Sequence, residues 1–129
     1  MTHVSFETAR RLKAAGFPQP AFATGQFWYN QYGEASFVGR RDVLEKTGDE
    51  TFFCTSVRSG RTEEITPIHD GAIFAPTAED ILRESPSMTL QKYGDKWRAE
   101  YHQDETFWHD ASGAEACALA RLAIREKKA

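Results

Sequence analysis

The last third of the chain constrains the fold most, because three elements follow one another there with little room for anything else. Ala75-Pro76-Thr77 opens a short helical run over residues 78–84, and Pro86 ends it. Thr77 followed three residues later by Asp80 is a variant of the capping box, which also sets an acid at the positive helix end. Met88, Leu90 and Lys92 then alternate with Thr89, Gln91 and Tyr93, and after Gly94-Asp95 the residues Trp97, Ala99 and Tyr101 alternate with Arg98, Glu100 and His102. Period two on both arms, residues 88–93 and 96–103, around a Gly-containing pair predicts an antiparallel hairpin. Ser112 with Glu115 at N3 is a complete capping box for a final alanine-rich helix. On a 3.6-residue wheel Leu119, Ala123, Ala116, Ala120, Ile124 and Cys117 share one arc, with Arg121 and Arg125 opposite. Small residues along that stripe permit close approach, so the helix is expected to lie on the apolar face of the hairpin, against Trp97.

Upstream, Ser5 is a suitable N-cap for a helix over residues 6–15, with Phe6, Ala9 and Leu12 at helical spacing. Gly16 ends it, Phe17 folds back on the last turn, and Pro18 and Pro20 forbid continuation. From Gly25 to Phe74 the signals shorten to strands: an aromatic strand at residues 26–30, an interrupted one at 35–44 around Gly39-Arg40-Arg41, and a clear one at 51–58. Ser59-Gly60-Arg61 is a turn, residues 62–68 return as its partner with Pro67 marking an edge, and Ala72-Ile73-Phe74 is a last short strand. The expectation is a single α+β domain over residues 1–129: an antiparallel sheet of four to six strands with N-terminal, middle and C-terminal helices packed on one face.

Composition narrows the function classes. With 16 basic and 19 acidic residues interspersed and a net charge of −3, the chain lacks the Lys/Arg excess of a dedicated nucleic-acid binder. No apolar run approaches the ~20 residues of a membrane helix, and Met1-Thr2-His3-Val4-Ser5 lacks the features of a secretory leader. Cys54 and Cys117 lie in apolar surroundings and read as small buried hydrophobes rather than a disulfide framework. A cytoplasmic protein without a cofactor is expected.

Few residues carry chemistry. His102, Asp104, Glu105, His109 and Asp110 fall within nine positions, which makes His102 and His109 the weak candidates for a metal or hydrolytic site. The polar cluster is equally what a solvated loop before a helix requires, and no metal ligand set is assigned. No Ser sits in a Gly-x-Ser-x-Gly elbow, and no glycine-rich phosphate loop is present. The aromatics are more informative. Phe27, Trp28 and Tyr29 are consecutive, so on a strand they cannot share a face, and Phe107 and Trp108 are adjacent in what reads as a loop. Either the second face is covered by another helix or by the long loops, or the aromatics form an exposed patch. In the latter case Trp28, Tyr29 and Trp108 are the candidate binding residues, with Trp28 or Tyr29, together with Trp108, expected to be partly exposed or covered only by a second subunit.

The combination of Ser5-Phe6-Glu7-Thr8-Ala9, Leu12 and Gly16-Phe17-Pro18-Gln19-Pro20, then Gly25-Gln26-Phe27-Trp28-Tyr29, Ala75-Pro76-Thr77 and Gly113-Ala114-Glu115-Ala116 resembles a group of small uncharacterised proteins encoded in phage, prophage and bacterial genomes. The likeness runs in patches over most of the chain, while residues 48–65 stand outside it as an elaboration of this chain. Its motifs are caps, turns and core positions, so it implies a fold and a mobile-element origin and carries over no site residue. The leading expectation is a non-enzymatic binding protein, such as a phage-type accessory factor that engages a host protein. The alternatives are a small metal-dependent or hydrolytic enzyme using His102 and His109, and a homo-oligomeric structural or ligand-sequestering protein.

Overall fold

Ser5 begins the first helix as expected: its Oγ accepts from the Thr8 amide at 3.3 Å, and α1 runs Phe6–Ala14. The end is a Schellman motif. The Gly16 amide donates to Lys13 O at 3.1 Å and the Phe17 amide to Leu12 O at 2.9 Å, which Gly16 permits by adopting φ 87°. The structure is a computed structural model and describes residues 3–21, 23–43, 50–65, 71–101, 105–109 and 112–128.

The strands follow in order: β1 (Phe27–Tyr29), β2 (Ala35–Val43), β3 (Glu50–Ser56), β4 (Thr62–Ile65) and β5 (Ile73–Phe74). After α2 (Ala78–Arg83) come β6 (Met88–Tyr93), β7 (Lys96–Tyr101), β8 (Glu105–His109) and α3 (Gly113–Lys128). The α+β class holds, and all pairings between these strands are antiparallel. The strands are, however, divided between two sheets rather than gathered in one: β4-β3-β2-β1-β5 and β6-β7-β8. The chain's contacts correspondingly separate two compact units, one built from residues 1–17 and 76–129, the other from residues 18–75.

In the first unit the hairpin has the expected register, with Tyr93 opposite Lys96, Lys92 opposite Trp97 and Leu90 opposite Ala99. Sequence analysis placed Phe107 and Trp108 in a loop. They lie instead on β8, which pairs with β7 through Trp97↔His109, Arg98↔Trp108 and Ala99↔Phe107. The five-residue strand was missed because Asp104, Glu105 and Thr106 interrupt any apolar alternation. The middle helix carries the complete Thr77/Asp80 capping box.

Helix α3 covers one face of this small sheet, and α1 and α2 pack against α3 rather than directly on the strands. That layering explains why the burial of α3 does not follow the expected arc, in which Leu119 and Ala123 are only half-buried. Ala114, Glu115, Ala116, Cys117, Ala118, Ala120 and Leu122 are all buried, because the side away from the sheet is covered by the other helices. A Cβ on Gly113 would lie 3.0 Å from Leu90 Cδ2 and 3.1 Å from Trp97 Cε3, so the helix begins hard against Trp97 as predicted. Arg121 does not face open solvent. Its Nη1 donates to Glu84 O at 2.7 Å and Ser85 Oγ at 3.1 Å, and its guanidinium lies 5.6 Å from the Phe17 ring centroid.

The second unit is a five-stranded sheet, and it has no helix among the described residues. The interruption in the second strand is a β-bulge: pairing with β3 shifts between Val38 and Arg41. A Cβ on Gly39 would come 3.0 Å from Phe53 O, so the close strand approach favours glycine there. Residues 50–65, within the stretch outside the resemblance, supply β3 and β4 and the fully buried Phe52. That elaboration is an integral part of the sheet. Pro67 lies outside the described residues, but β4 occupies the edge that the proline suggested.

His3 is buried beside Thr77, and desolvation holds its imidazole below the ordinary value of 6.5. As pH falls through 6.5 the unfolded chain binds a proton that the folded chain resists binding. Stability should therefore fall with decreasing pH below 6.5 and be insensitive to this group above it. Urea titrations across that window should show a steeper acid loss in the wild type than in His3→Gln. Equal slopes would remove His3 from the account.

Candidate functional site

The hairpin and β8 present one face to α3 and the other outward. Gln91, Arg98 and Trp108 are cross-strand neighbours on the outer face, with Tyr93 two residues from Gln91. Their side chains interlock. The Arg98 guanidinium lies 4.6 Å from the Tyr93 ring centroid and 5.9 Å from that of Trp108, and the two rings are 5.8 Å apart. Arg98 Nη2 donates to Gln91 Oε1 at 2.8 Å and lies 3.6 Å from Glu100 Oε2. Tyr93 donates its hydroxyl to the same Gln91 oxygen at 2.6 Å. The cluster is thus braced from both sides, yet Tyr93 and Trp108 remain 47% and 49% exposed. Arg98 lies beside both rings, gaining cation–π attraction while its Nη2 keeps Gln91 and Glu100 as partners.

Trp28 and Tyr29 correct the sequence reading, since they are only 8% and 6% exposed in the single chain. Their burial needs no second subunit. Trp28 is paired across the sheet with Phe74 and Ser36, its ring centroid 5.4 Å from that of Phe74. Its indole Nε1 donates to Gln26 Oε1 at 2.9 Å, which satisfies the one polar atom of the ring. Phe27 points to the opposite face and stacks on Phe37 at 5.2 Å. The alternation was read correctly: Trp28 is buried on one face, and on the other Tyr29 is buried while Phe27 is half-buried beside the exposed Phe37. What Trp28 and Tyr29 do border is a concave basin of about 410 Å³ on this sheet, which Ser36, Val38, Cys54, Ser56, Arg61 and Glu63 also line. Trp28 and Tyr29 belong to one unit and Trp108 to the other.

The metal and hydrolase candidates fare differently. His102 lies outside the described residues, as do Asp104 and Asp110. His109 Nδ1 accepts a hydrogen bond from the Ser112 amide at 3.0 Å, so one of its two ring nitrogens is engaged in capping α3. Among the described residues no group of three His, Cys, Asp or Glu side chains could hold a metal ion.

His109 takes over half of the predicted capping box. Ser112 Oγ accepts from the Glu115 amide at 3.2 Å as expected, but the Glu115 carboxylate does not return to Ser112. It reaches the start of α1 instead, accepting from the Ser5 amide at 2.6 Å and the Thr8 hydroxyl at 2.8 Å. Both thiols are buried, and burial raises the pKa of Cys54 and pushes that of Cys117 up to about 12. At neutral pH they are protonated and poor nucleophiles.

Among the described residues no helix is long and apolar enough to cross a membrane. No protein-family model, curated protein or solved structure matches this chain.

Proposed function

We propose that this chain is a non-enzymatic binding protein that docks another protein on the outer face of its three-stranded sheet. The observation that carries the reading is the braced Tyr93–Arg98–Trp108 stack. Tyr, Trp and Arg are the residue types that dominate protein–protein hot spots, and a rigid exposed cluster loses little side-chain freedom on binding. Lys96, Arg98 and Glu100 follow one another on the outward side of β7, so charges of both signs surround the aromatics and can fix the orientation of a partner. A phage-type accessory factor engaging a host protein would use such a face, and a second copy of the chain could occupy it in the same way.

A photocrosslinking amino acid at the exposed Thr106 position, beside the stack on the same outer face, tests the reading in cells. Adducts to one protein, or to a second copy, are expected from the wild-type background and should be lost with Trp108→Ala. With the captured protein purified, Trp108→Ala should cost about 2 kcal/mol of binding, roughly thirtyfold in Kd. The melting temperature should barely change. Binding that is unaffected by Trp108→Ala and Arg98→Ala, or the absence of any adduct, would sink the proposal.

A further inference from the structure

The basin on the five-stranded sheet is built by cross-strand neighbours whose chemistry changes from one side to the other. Trp28, Ser36 and Ser56 succeed one another across β1, β2 and β3, and Val38, Cys54 and Glu63 form the adjacent row across β2, β3 and β4. The middle strands contribute short side chains at Ser36, Ser56 and Cys54, which is why a hollow of about 410 Å³ remains above them. That lies toward the small end of ligand pockets, about 300–1,000 Å³. One end is apolar, because the indole N–H of Trp28 is already spent on Gln26 and the ring offers hydrocarbon.

The other end is ionic. Arg61 and Glu63 are two residues apart on the edge strand and its lead-in, so alternation puts both on the basin face, roughly 6–7 Å apart along the chain. Their positions are fixed by the backbone: Arg61 O accepts from the Ser56 amide at 2.8 Å, and Glu63 is paired with Cys54. Neither side chain forms an ion pair with another described residue. Glu34, bonded to Asn30 Nδ2 at 3.2 Å, adds a carboxylate to the lining.

A ligand carrying only an anion would suit Arg61 but meet two carboxylates, and one carrying only a cation would meet the guanidinium. A zwitterion with adjacent opposite charges satisfies both ends of that pair, and an apolar group then reaches toward Trp28 across the hydroxyls of Ser36 and Ser56. The geometry points to a binding site for a free α-amino acid with an apolar or aromatic side chain. Its carboxylate is held by Arg61, its ammonium by Glu63, and its side chain by Trp28. This site is independent of the outer face of the three-stranded sheet and of the protein docking proposed there.

The test is calorimetry and saturation-transfer NMR on the whole chain, with L-phenylalanine as the probe. Phenethylamine and 3-phenylpropionate serve as half-ligands that lack the carboxylate and the ammonium respectively. L-Phenylalanine should bind saturably, and each half-ligand about tenfold more weakly or worse. Arg61→Gln should weaken L-phenylalanine about tenfold and leave phenethylamine unchanged, whereas Glu63→Gln should leave 3-phenylpropionate binding no weaker. Arg61 and Glu63 are both exposed, so neither change should alter the melting curve. No binding of L-phenylalanine up to about 10 mM would overturn the assignment. So would a half-ligand that binds as well as the zwitterion, or charge-neutralised variants that bind it like the wild type.

Discussion

Trp28→Ala is expected to destabilise the protein by about 3–5 kcal/mol, the range for removing a large aromatic side chain from a packed interior. The ring is 8% exposed, lies 5.4 Å from Phe74 centroid to centroid, and is fixed at its nitrogen by Gln26. Its loss would leave Phe74 without its cross-strand partner and open the basin to the neighbouring strand. In urea the midpoint should fall sharply with little change in slope, since the surface exposed on unfolding is nearly the same. Trp28→Phe retains most of the apolar volume and should recover much of the loss. Sedimentation of the folded fraction should match the wild type. A variant that melts normally but associates differently would return Trp28 to the role of a surface anchor.

The second large effect is expected at Glu115, which is 8% exposed and joins the starts of two helices. Truncation to alanine leaves the Ser5 amide and the Thr8 hydroxyl without their acceptor in a largely dry setting, at 2.6 and 2.8 Å from where the oxygens were. Hydrogen bonds to a charged group contribute about 1.5–3 kcal/mol, and orphaned buried donors cost a further desolvation term, so a loss of about 3 kcal/mol is expected. Glu115→Gln keeps one carbonyl oxygen and should cost about half as much. The Ser112 cap is untouched in both variants, because it uses the Glu115 backbone rather than its side chain. Hydrogen exchange should therefore show faster opening at α1 in the alanine variant. Protection unchanged at residues 5–9 would mean that the carboxylate does not hold that helix.

Local features were legible in the sequence because the interactions that make them span a few residues. Ser5 caps through Thr8, Thr77 through Asp80, and Gly16 ends its helix through bonds to Leu12 and Lys13. The hairpin register followed from alternation on both sides of Gly94-Asp95. The candidate site was legible only in part. Trp108 was singled out for its adjacency to Phe107, and its exposure agrees, but its partners Tyr93 and Arg98 were hidden as ordinary outward positions of a hairpin. Only the register of β8 against β7 sets Trp108 opposite Arg98. Arg61 falls in the predicted turn and Glu63 on the strand predicted after it, and nothing local relates them to Trp28.

The amino-acid sequence by itself determined the class, the three helices with their N-cap residues Ser5, Thr77 and Ser112, and the Gly94-Asp95 turn, since each depends on propensity, periodicity or a bond closed within one turn. Tertiary structure alone decided three things. It divided the strands between two sheets, buried Trp28 while leaving Trp108 open, and turned Glu115 away from its own cap toward Ser5, 110 positions distant. Period-two alternation says that the two faces of a strand differ, but not which is covered. A carboxylate at N3 has two competing donors, and the one it meets is set by where α1 packs on α3. Those choices are made by contacts between segments far apart in the chain, whose closure no local pattern encodes.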